Sequence, residues 1–466
     1  MNANPNPRCP FQADGTPPSA HPTGAWPPGP AAGLTGWSLL RRMSADLLGS
    51  LAAWQARYGD VVHLRIWPEH QIVLGDPALI RELLTRHHDA LIRWERGIQV
   101  FSRFHGGSVF TQEGEAWRRR RRALQPGYAA RNIQNLLPGM AETVAAAMAS
   151  WPQQAENWPA DSALTSLAMD VILRTLFSSG IGADARRAER AVHVLLQAAN
   201  RELYWPASGP DWLPWNRQRR QSLATLQALV VQHLDARLQQ DAATWPEDLL
   251  TRLLHQQQAL GLSHTDLRDE CMTAFLAGHE STAASLSWWA WCMAANPEAQ
   301  QRARQEVREQ LGQRMPQPED LAKLGYLEQS LQESLRLYPA APLLFTRRST
   351  RPLQLGPWHF PARTLFLIPI HGLHHDPRYF PDPECFRPER FASDIPRGSF
   401  LPFGDGPRIC LGQHLASNEM RLIAAMLLQR YRLSPLPGTP VPQARFDVSL
   451  RPKGGLRLKL EAAAGR

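Results

Sequence analysis

Phe403-Gly404-Asp405-Gly406-Pro407-Arg408-Ile409-Cys410-Leu411-Gly412 is the stretch on which the reading of this chain turns. It sets one cysteine just before a segment, Leu411 to Arg430, whose apolar spacing predicts a helix. A thiol serves as nucleophile or metal ligand only in its thiolate form. The first N–H groups and the dipole of a helix stabilise such an anion. Gly406 and Gly412 carry no Cβ, so backbone amides can come close to the sulfur. The bland alternative for any single cysteine is a buried, inert thiol. Here five fixed positions surround the sulfur (Phe403, Gly406, Arg408, Cys410 and Gly412), a pattern expected by chance in roughly one chain in ten thousand of this length.

The other cysteines, Cys9, Cys271, Cys292 and Cys385, form no CxxC pair, which argues against a disulfide framework and a zinc site. The chain has 466 residues, long enough to bury a large core and a cofactor. Hydrophobic residues make up 43% and charged residues 20%, which excludes a disordered or collagenous chain. Net charge is +9, and only Lys323, Lys453 and Lys459 among 51 basic residues are lysine. So basic a chain suits an acidic partner, and no nucleic-acid module is visible. No run of 18 apolar residues predicts a membrane span, and the Pro-rich start lacks the apolar core of a secretory signal. A soluble, cytoplasmic protein is expected, with residues 1–24 as a flexible tail and 25–466 as one domain.

Asp76-Pro77 reads as a helix start, and Val61–Trp67 with Gln71–Leu74 as a strand pair joined by a turn. Ser44 to Arg57 reads as one helix. Residues 95–112, with Phe101, Phe104, Gly106, Gly107 and Phe110, read as a long loop. Helices dominate from Gly114 to Leu337, interrupted by a turn at Gly180–Asp184 and a Pro- and Trp-rich link at Trp205–Trp215. The segment 264–295 is apolar nearly all round, so it runs through the interior. Buried polar residues in its middle, Gly278-His279-Glu280-Ser281-Thr282, need a reason to be there. Beyond residue 340, short β-type runs alternate with Pro-rich coil. The fold class is therefore mainly α with a small β region.

Glu333-Ser334-Leu335-Arg336 places an acid and a base on one helix face, where the bland reading is a weak surface pair. Trp117 opens a run of five arginines, 118–122, whose bland reading is a solvated face. His371 and His375 stand four apart, as helical metal ligands can, but beside Pro369 and Pro377 a structural role is preferred.

The motifs together resemble the cytochrome P450 superfamily. Phe403 to Gly412 matches its F-x-x-G-x-R-x-C-x-G signature at every fixed position, and the remaining motifs follow in the family's order from Trp117 onward. The resemblance implies a cytochrome P450-type domain that binds haem b, with Cys410 as axial iron ligand. Phe403 would shield the thiolate, and Arg408, Trp117, Arg121 and Arg347 would hold the propionates. Glu333, Arg336 and Arg390 would form a structural network behind the haem. Ala277 to Thr282 resembles the oxygen-activation stretch, with Ser281 where threonine is usual. Glu280 would supply protons and Ser281 relay them, with Thr282 sharing the task. The lost β-methyl leaves the Ser281 rotamer less fixed. Ala277 and Gly278 would form a small ceiling over the haem. Phe101, Phe110, Phe275, Ala341 and Leu343, with Phe104 and Leu344, would line an apolar pocket.

The implied activity is a haem-thiolate monooxygenase that inserts one oxygen atom from O2 into an apolar or amphipathic small molecule. Electrons would come from a separate ferredoxin or flavodoxin with its reductase, docking on an Arg-rich face that includes the remaining arginines of 118–122. No fused redox module is expected, since no further cysteine set follows Cys410. A monomer is the default assembly. The alternatives are a peroxide-driven haem-thiolate enzyme, a haem isomerase or coupling enzyme, and a haem-binding protein without turnover; Glu280 and Ser281 argue against the first and the last.

Overall fold

The computed structural model describes residues 26–463 except 179–182 and 204–207. The expected tail, Trp205 and most of the turn expected at 180–184 lie outside the described residues, where Ala183 already opens a helix.

Helix His264–Ala295 is the axis of the fold. Its 32 residues make a rod of about 48 Å at 1.5 Å per residue. Ser263 caps it reciprocally with Asp266, and Pro297 opens the next helix. Nearly every side chain from Leu267 to Ala294 is buried, because Ala160–Phe177 and Gln413–Arg430 pack against it. Around this axis stand Gly114–Leu124, Arg217–Leu238, Leu249–Leu260 and Gly325–Leu337.

The β portion is small. A five-stranded sheet has the order Val61–Ile66, Glu69–Leu74, Leu365–Leu367, Arg347–Ser349, Leu91–Arg93. Only the pairing of Glu69–Leu74 with Leu365–Leu367 is parallel. Gln154–Trp158, Leu458–Ala462 and Tyr431–Pro435 form a second sheet, and two short hairpins complete the set. No helix among the described residues is long and apolar enough to cross a membrane.

Two expectations need correcting. Residues 95–112 are not a long loop, because Glu95–His105 is a helix. Its buried Gly97, Val100 and Phe104 sit at helical spacing, and the glycines that suggested a loop, Gly106 and Gly107, lie beyond its end. Gly106, at φ +58, terminates it. The single helix expected over 44–57 is split in two at Asp46, whose side chain accepts from Gly49 N–H at 2.9 Å and starts Leu47–Tyr58.

Candidate active site: a cysteine and an arginine cluster at a cavity

Cys410 sits at the wall of an internal cavity of about 640 Å3. Its backbone N–H donates to Phe403 O at 2.9 Å, and Gly404 N–H to Leu401 O at 3.0 Å, so the loop folds back on itself. Gly412 N–H points at the sulfur, and helix Gln413–Arg430 begins one residue later. The thiol is bare toward the cavity yet deep in the protein. Burial raises its pKa, while the Gly412 N–H and the Arg121 charge oppose that rise. Cys271 and Cys292 are buried thiols that burial pushes well up, the second to about 12. Cys410 differs from both in facing the cavity with a backbone N–H donor and the Arg121 charge beside it.

Phe403, Trp117, Arg121, Arg347 and Arg408 all line the same cavity. Arg121 donates to Ile409 O at 2.8 Å, beside the cysteine. The Arg408 guanidinium lies 4.0 Å from the centre of the Trp117 ring and pairs with Glu113. Arg347 donates to Phe345 O. One member of this group has no motif to announce it: Arg93. Strand register sets Arg93 directly opposite Arg347, and Arg93 donates to Phe110 O at 2.6 Å. Like charges opposed across two strands are destabilising unless something neutralises them. Burial and then the neighbouring guanidinium Arg408 hold Arg347 down, to about 10, and Arg93 lies well below its ordinary value for the same reasons. Glu113 is the acid that faces Arg93, Arg347 and Arg408. Such an arrangement asks for a ligand carrying two anionic groups.

The opposite wall belongs to helix His264–Ala295, where Ala277, Gly278, Glu280, Ser281 and Thr282 meet the cavity. Ser281 Oγ donates to Ala277 O at 2.8 Å. Thr282 Oγ1 is buried with no partner among the described residues. Glu280 departs from its expected part. Burial would raise its carboxyl, but Arg451, bonded to both oxygens at 2.6 and 2.8 Å, and Ser449 at 2.6 Å hold it below its ordinary value. It therefore rests as a carboxylate with no proton of its own to give. Glu419, which has no sequence signal beyond its place nine residues after Cys410, also lines the cavity. Burial pushes it up to about 8, and its Oε1 lacks a partner among the described residues.

Phe101, Phe110, Ala341 and Leu344 line the cavity, joined by Phe345. Phe275, Leu343 and Phe104 do not. Phe275 lies two residues, about 200° of helix, from Ala277 and packs into the core. Leu343 packs toward the N-terminal helices, and Phe104 into the main core. Gly406 is needed for a reason other than the one expected, and Gly278, which lines the cavity, is also held small by packing. Gly406, at φ +72, would drive a Cβ to 2.2 Å from Leu84 O, so it seats the loop on Pro77–Thr85 rather than near the sulfur. A Cβ on Gly278 would meet Ile172 at 2.9 Å. Gly412 faces open space. Within the arginine run, Arg120 is buried and bound to Asp266 and Glu270, so it belongs to no docking face.

Behind the cysteine loop, Glu333 and Arg336 are fully buried and paired through both oxygens at 2.7 and 2.8 Å. Arg390 Nε joins Glu333 at 3.2 Å, and Arg387 N–H at 2.9 Å. Arg336 also donates to His374 O at 2.9 Å, and His374 Nε2 accepts Leu401 N–H at 2.9 Å. The network thus reaches the loop that carries Cys410. The His371 and His375 rings stack 4.1 Å apart, and His375 Nδ1 bonds His371 O at 2.8 Å, so they are structural. Among the described residues no group of three or more metal-ligating side chains exists.

Fold and site define a haem-thiolate protein: a deep thiol before a helix, faced across an apolar cavity by a long helix and flanked by arginines. A family model, Cytochrome P450, matches residues 27–460, and the chain belongs to the cytochrome P450 family. It is 33% identical over 437 residues to Cyclooctat-9-en-7-ol 5-monooxygenase of Streptomyces melanosporofaciens, covering 90% of this chain and 93% of that one. It is 30% identical to Cyclooctatin synthase of the same organism (89% and 91% covered) and 31% identical to Cytochrome P450 734A6 of Oryza sativa subsp. japonica (81% and 75% covered). The protein is a cytochrome P450 monooxygenase, its cofactor haem b, and it uses a small-molecule substrate, O2 and a redox partner. The donor set fits that cofactor: a cavity-facing sulfur, an arginine group that outnumbers its acid Glu113, and open space at Gly412.

Proposed function

We propose that this monooxygenase acts on a neutral, apolar or amphipathic small molecule and draws electrons from a separate acidic protein. The observation that carries the reading is the cavity-facing thiol of Cys410, with its own N–H donor, beside opposed arginines that outnumber the acid Glu113. Cys410 would ligate the iron, and Arg93, Arg121, Arg347 and Arg408 would hold the two carboxylates. Bound haem b supplies the iron chemistry that splits dioxygen, one atom going to substrate and one to water. Every other task falls to side chains. Phe101, Phe110, Phe345 and Leu344 exclude water and orient an apolar skeleton. The Streptomyces relative is named for an unsaturated alcohol, which agrees with such a substrate.

Ser281 and Thr282 hold protons at the cavity wall. The Ser281 proton rests on Ala277 O and must rotate away to be passed on; the Thr282 hydroxyl is uncommitted. With Glu280 ionised, we assign proton supply to water that reaches these hydroxyls, and to Glu280 the anchoring of Arg451. For the electron donor we assign the exposed Arg118, Arg119 and Arg122, on the helix whose Arg121 touches Ile409 O.

The test is the difference spectrum of the dithionite-reduced protein with and without carbon monoxide. A strongly red-shifted Soret band is expected, and Cys410→Ala abolishes it. An ordinary band in wild-type protein, like that of His-ligated haem, overturns the thiolate assignment.

A further inference from the structure

His105 is a buried polar ring in an apolar wall. It closes helix Glu95–His105 and lines the cavity. Its ring centre lies 6.0 Å from that of Phe101 and 4.8 Å from that of Phe110. Both phenylalanines pack in turn on Phe345, at 5.7 and 5.9 Å. An imidazole in such surroundings costs free energy unless its polar atoms are used.

One atom is used. Nδ1 lies 3.2 Å from Thr273 Oγ1, on the long helix. The Thr273 and Ser108 hydroxyls are 2.7 Å apart, and Ser108 Oγ accepts Phe110 N–H at 3.3 Å. A chain of hydroxyls therefore fixes the ring from two separate segments. Nε2 has no hydrogen-bond partner among the described residues, so the ring keeps one unspent polar atom.

We propose that His105, oriented by Thr273 and Ser108, selects the substrate: Nε2 hydrogen-bonds one neutral oxygen substituent, a hydroxyl or a carbonyl, of an otherwise apolar molecule. The inference rests on the monooxygenase reading of the cavity. Burial lowers the ring pKa to about 4, so the imidazole is uncharged at neutral pH and offers a carboxylate no counter-charge. A neutral ring has one donor and one acceptor nitrogen. If Nδ1 carries the proton, Nε2 accepts from a hydroxyl; in the other tautomer, Nε2 donates to a carbonyl.

The test is a spectral titration of the haem-loaded protein with decalin, decalol, decalone and decalin carboxylate, with calorimetry as a second reading of affinity. Wild-type protein is expected to bind the alcohol or the ketone about tenfold more tightly than the hydrocarbon, the size of one buried hydrogen bond. The favoured member of that pair reports the tautomer. His105→Phe brings alcohol, ketone and hydrocarbon within about twofold of one another. Thr273→Val keeps the ring but removes the partner of Nδ1, and it weakens the same preference, so it carries the test if His105→Phe does not fold. The proposal is overturned by a preference that survives His105→Phe, by a wild-type protein without preference, by tightest binding of the carboxylate, or by no saturable binding of the oxygenated probes. The carbon monoxide band separates the two readings. Its absence from wild-type protein refutes the haem-thiolate site, whereas an intact band without oxygen preference refutes the role of His105 alone.

Discussion

Glu333→Ala removes the only carboxylate, among the described residues, bonded to Arg336, a guanidinium with no solvent exposure. Arg336 then keeps two carbonyl acceptors, His374 O and Cys385 O, and no counter-charge. Arg390 loses its ion pair and Arg387 N–H its acceptor. Breaking a buried ion pair from one side costs about 3–5 kcal/mol, and the orphaned N–H adds about 1 kcal/mol. At about 2.1 cal/mol/K of unfolding entropy per residue, a chain of 466 residues loses roughly one degree of Tm per kcal/mol. The variant should therefore melt about 4–6 °C below wild type. A second effect follows from connectivity. Through His374 and Leu401 the network supports the Cys410 loop, so the variant should also lose haem faster and show a smaller red-shifted carbon monoxide band. Glu333→Gln keeps the shape and one acceptor but not the charge, and should fall between the two. Differential scanning calorimetry and haem transfer to apomyoglobin measure both effects. If Glu333→Ala melts within a degree of wild type with undiminished haem retention, the network does not anchor the loop.

Three further outcomes are expected. Arg347→Leu relieves the repulsion on Arg93 but removes a carboxylate partner, so the apoprotein should melt no lower than wild type while the haem-loaded form loses haem at least tenfold faster; equal loss rates would refute the propionate assignment. Ser281→Ala should raise hydrogen peroxide released per electron consumed, with Thr282→Val as the comparison; unchanged coupling in Ser281→Ala moves the relay to Thr282 or water. The Glu419 carboxyl has a folded pKa of about 8 against an ordinary 4.5, so the native state holds a proton the unfolded chain has lost, and stability falls as pH rises through that window. Glu419→Gln mimics the protonated acid; relative to wild type it should gain about 3–5 kcal/mol on going from pH 5 to pH 9, read as a widening difference in Tm, and parallel Tm curves would count against it.

The elements legible from the sequence are those that encode their own geometry. The stretch 403–412 holds its turn, its glycines and the start of the next helix within ten residues, so Cys410 could be read directly. The long helix was equally legible, from its cap at Ser263 to its stop before Pro297, because apolar character on every face has one explanation. Glu333 and Arg336 lie one helical turn apart and needed only their spacing. What failed depended on partners far away in the chain. Which way Phe275 and Leu343 face is set by the packing of neighbouring helices and strands, not by their own composition. The helix at 95–105 is held by burial of Val100 and Phe104, and its local glycine signal pointed elsewhere. Glu280 looked like an acid until strand Leu450–Pro452 brought Arg451 against it. Arg93 joins the arginine cluster only through cross-strand register with Arg347, and His105 is oriented only where Thr273 of the long helix meets it. The sequence by itself determined the cysteine loop, the helix that follows it and the long helix that faces it, because short-range sterics and hydrogen bonds suffice for each. Tertiary structure alone decided which charges share the cavity, which face of each helix lines it and which polar atom is left for a substrate, because long-range packing sets those distances.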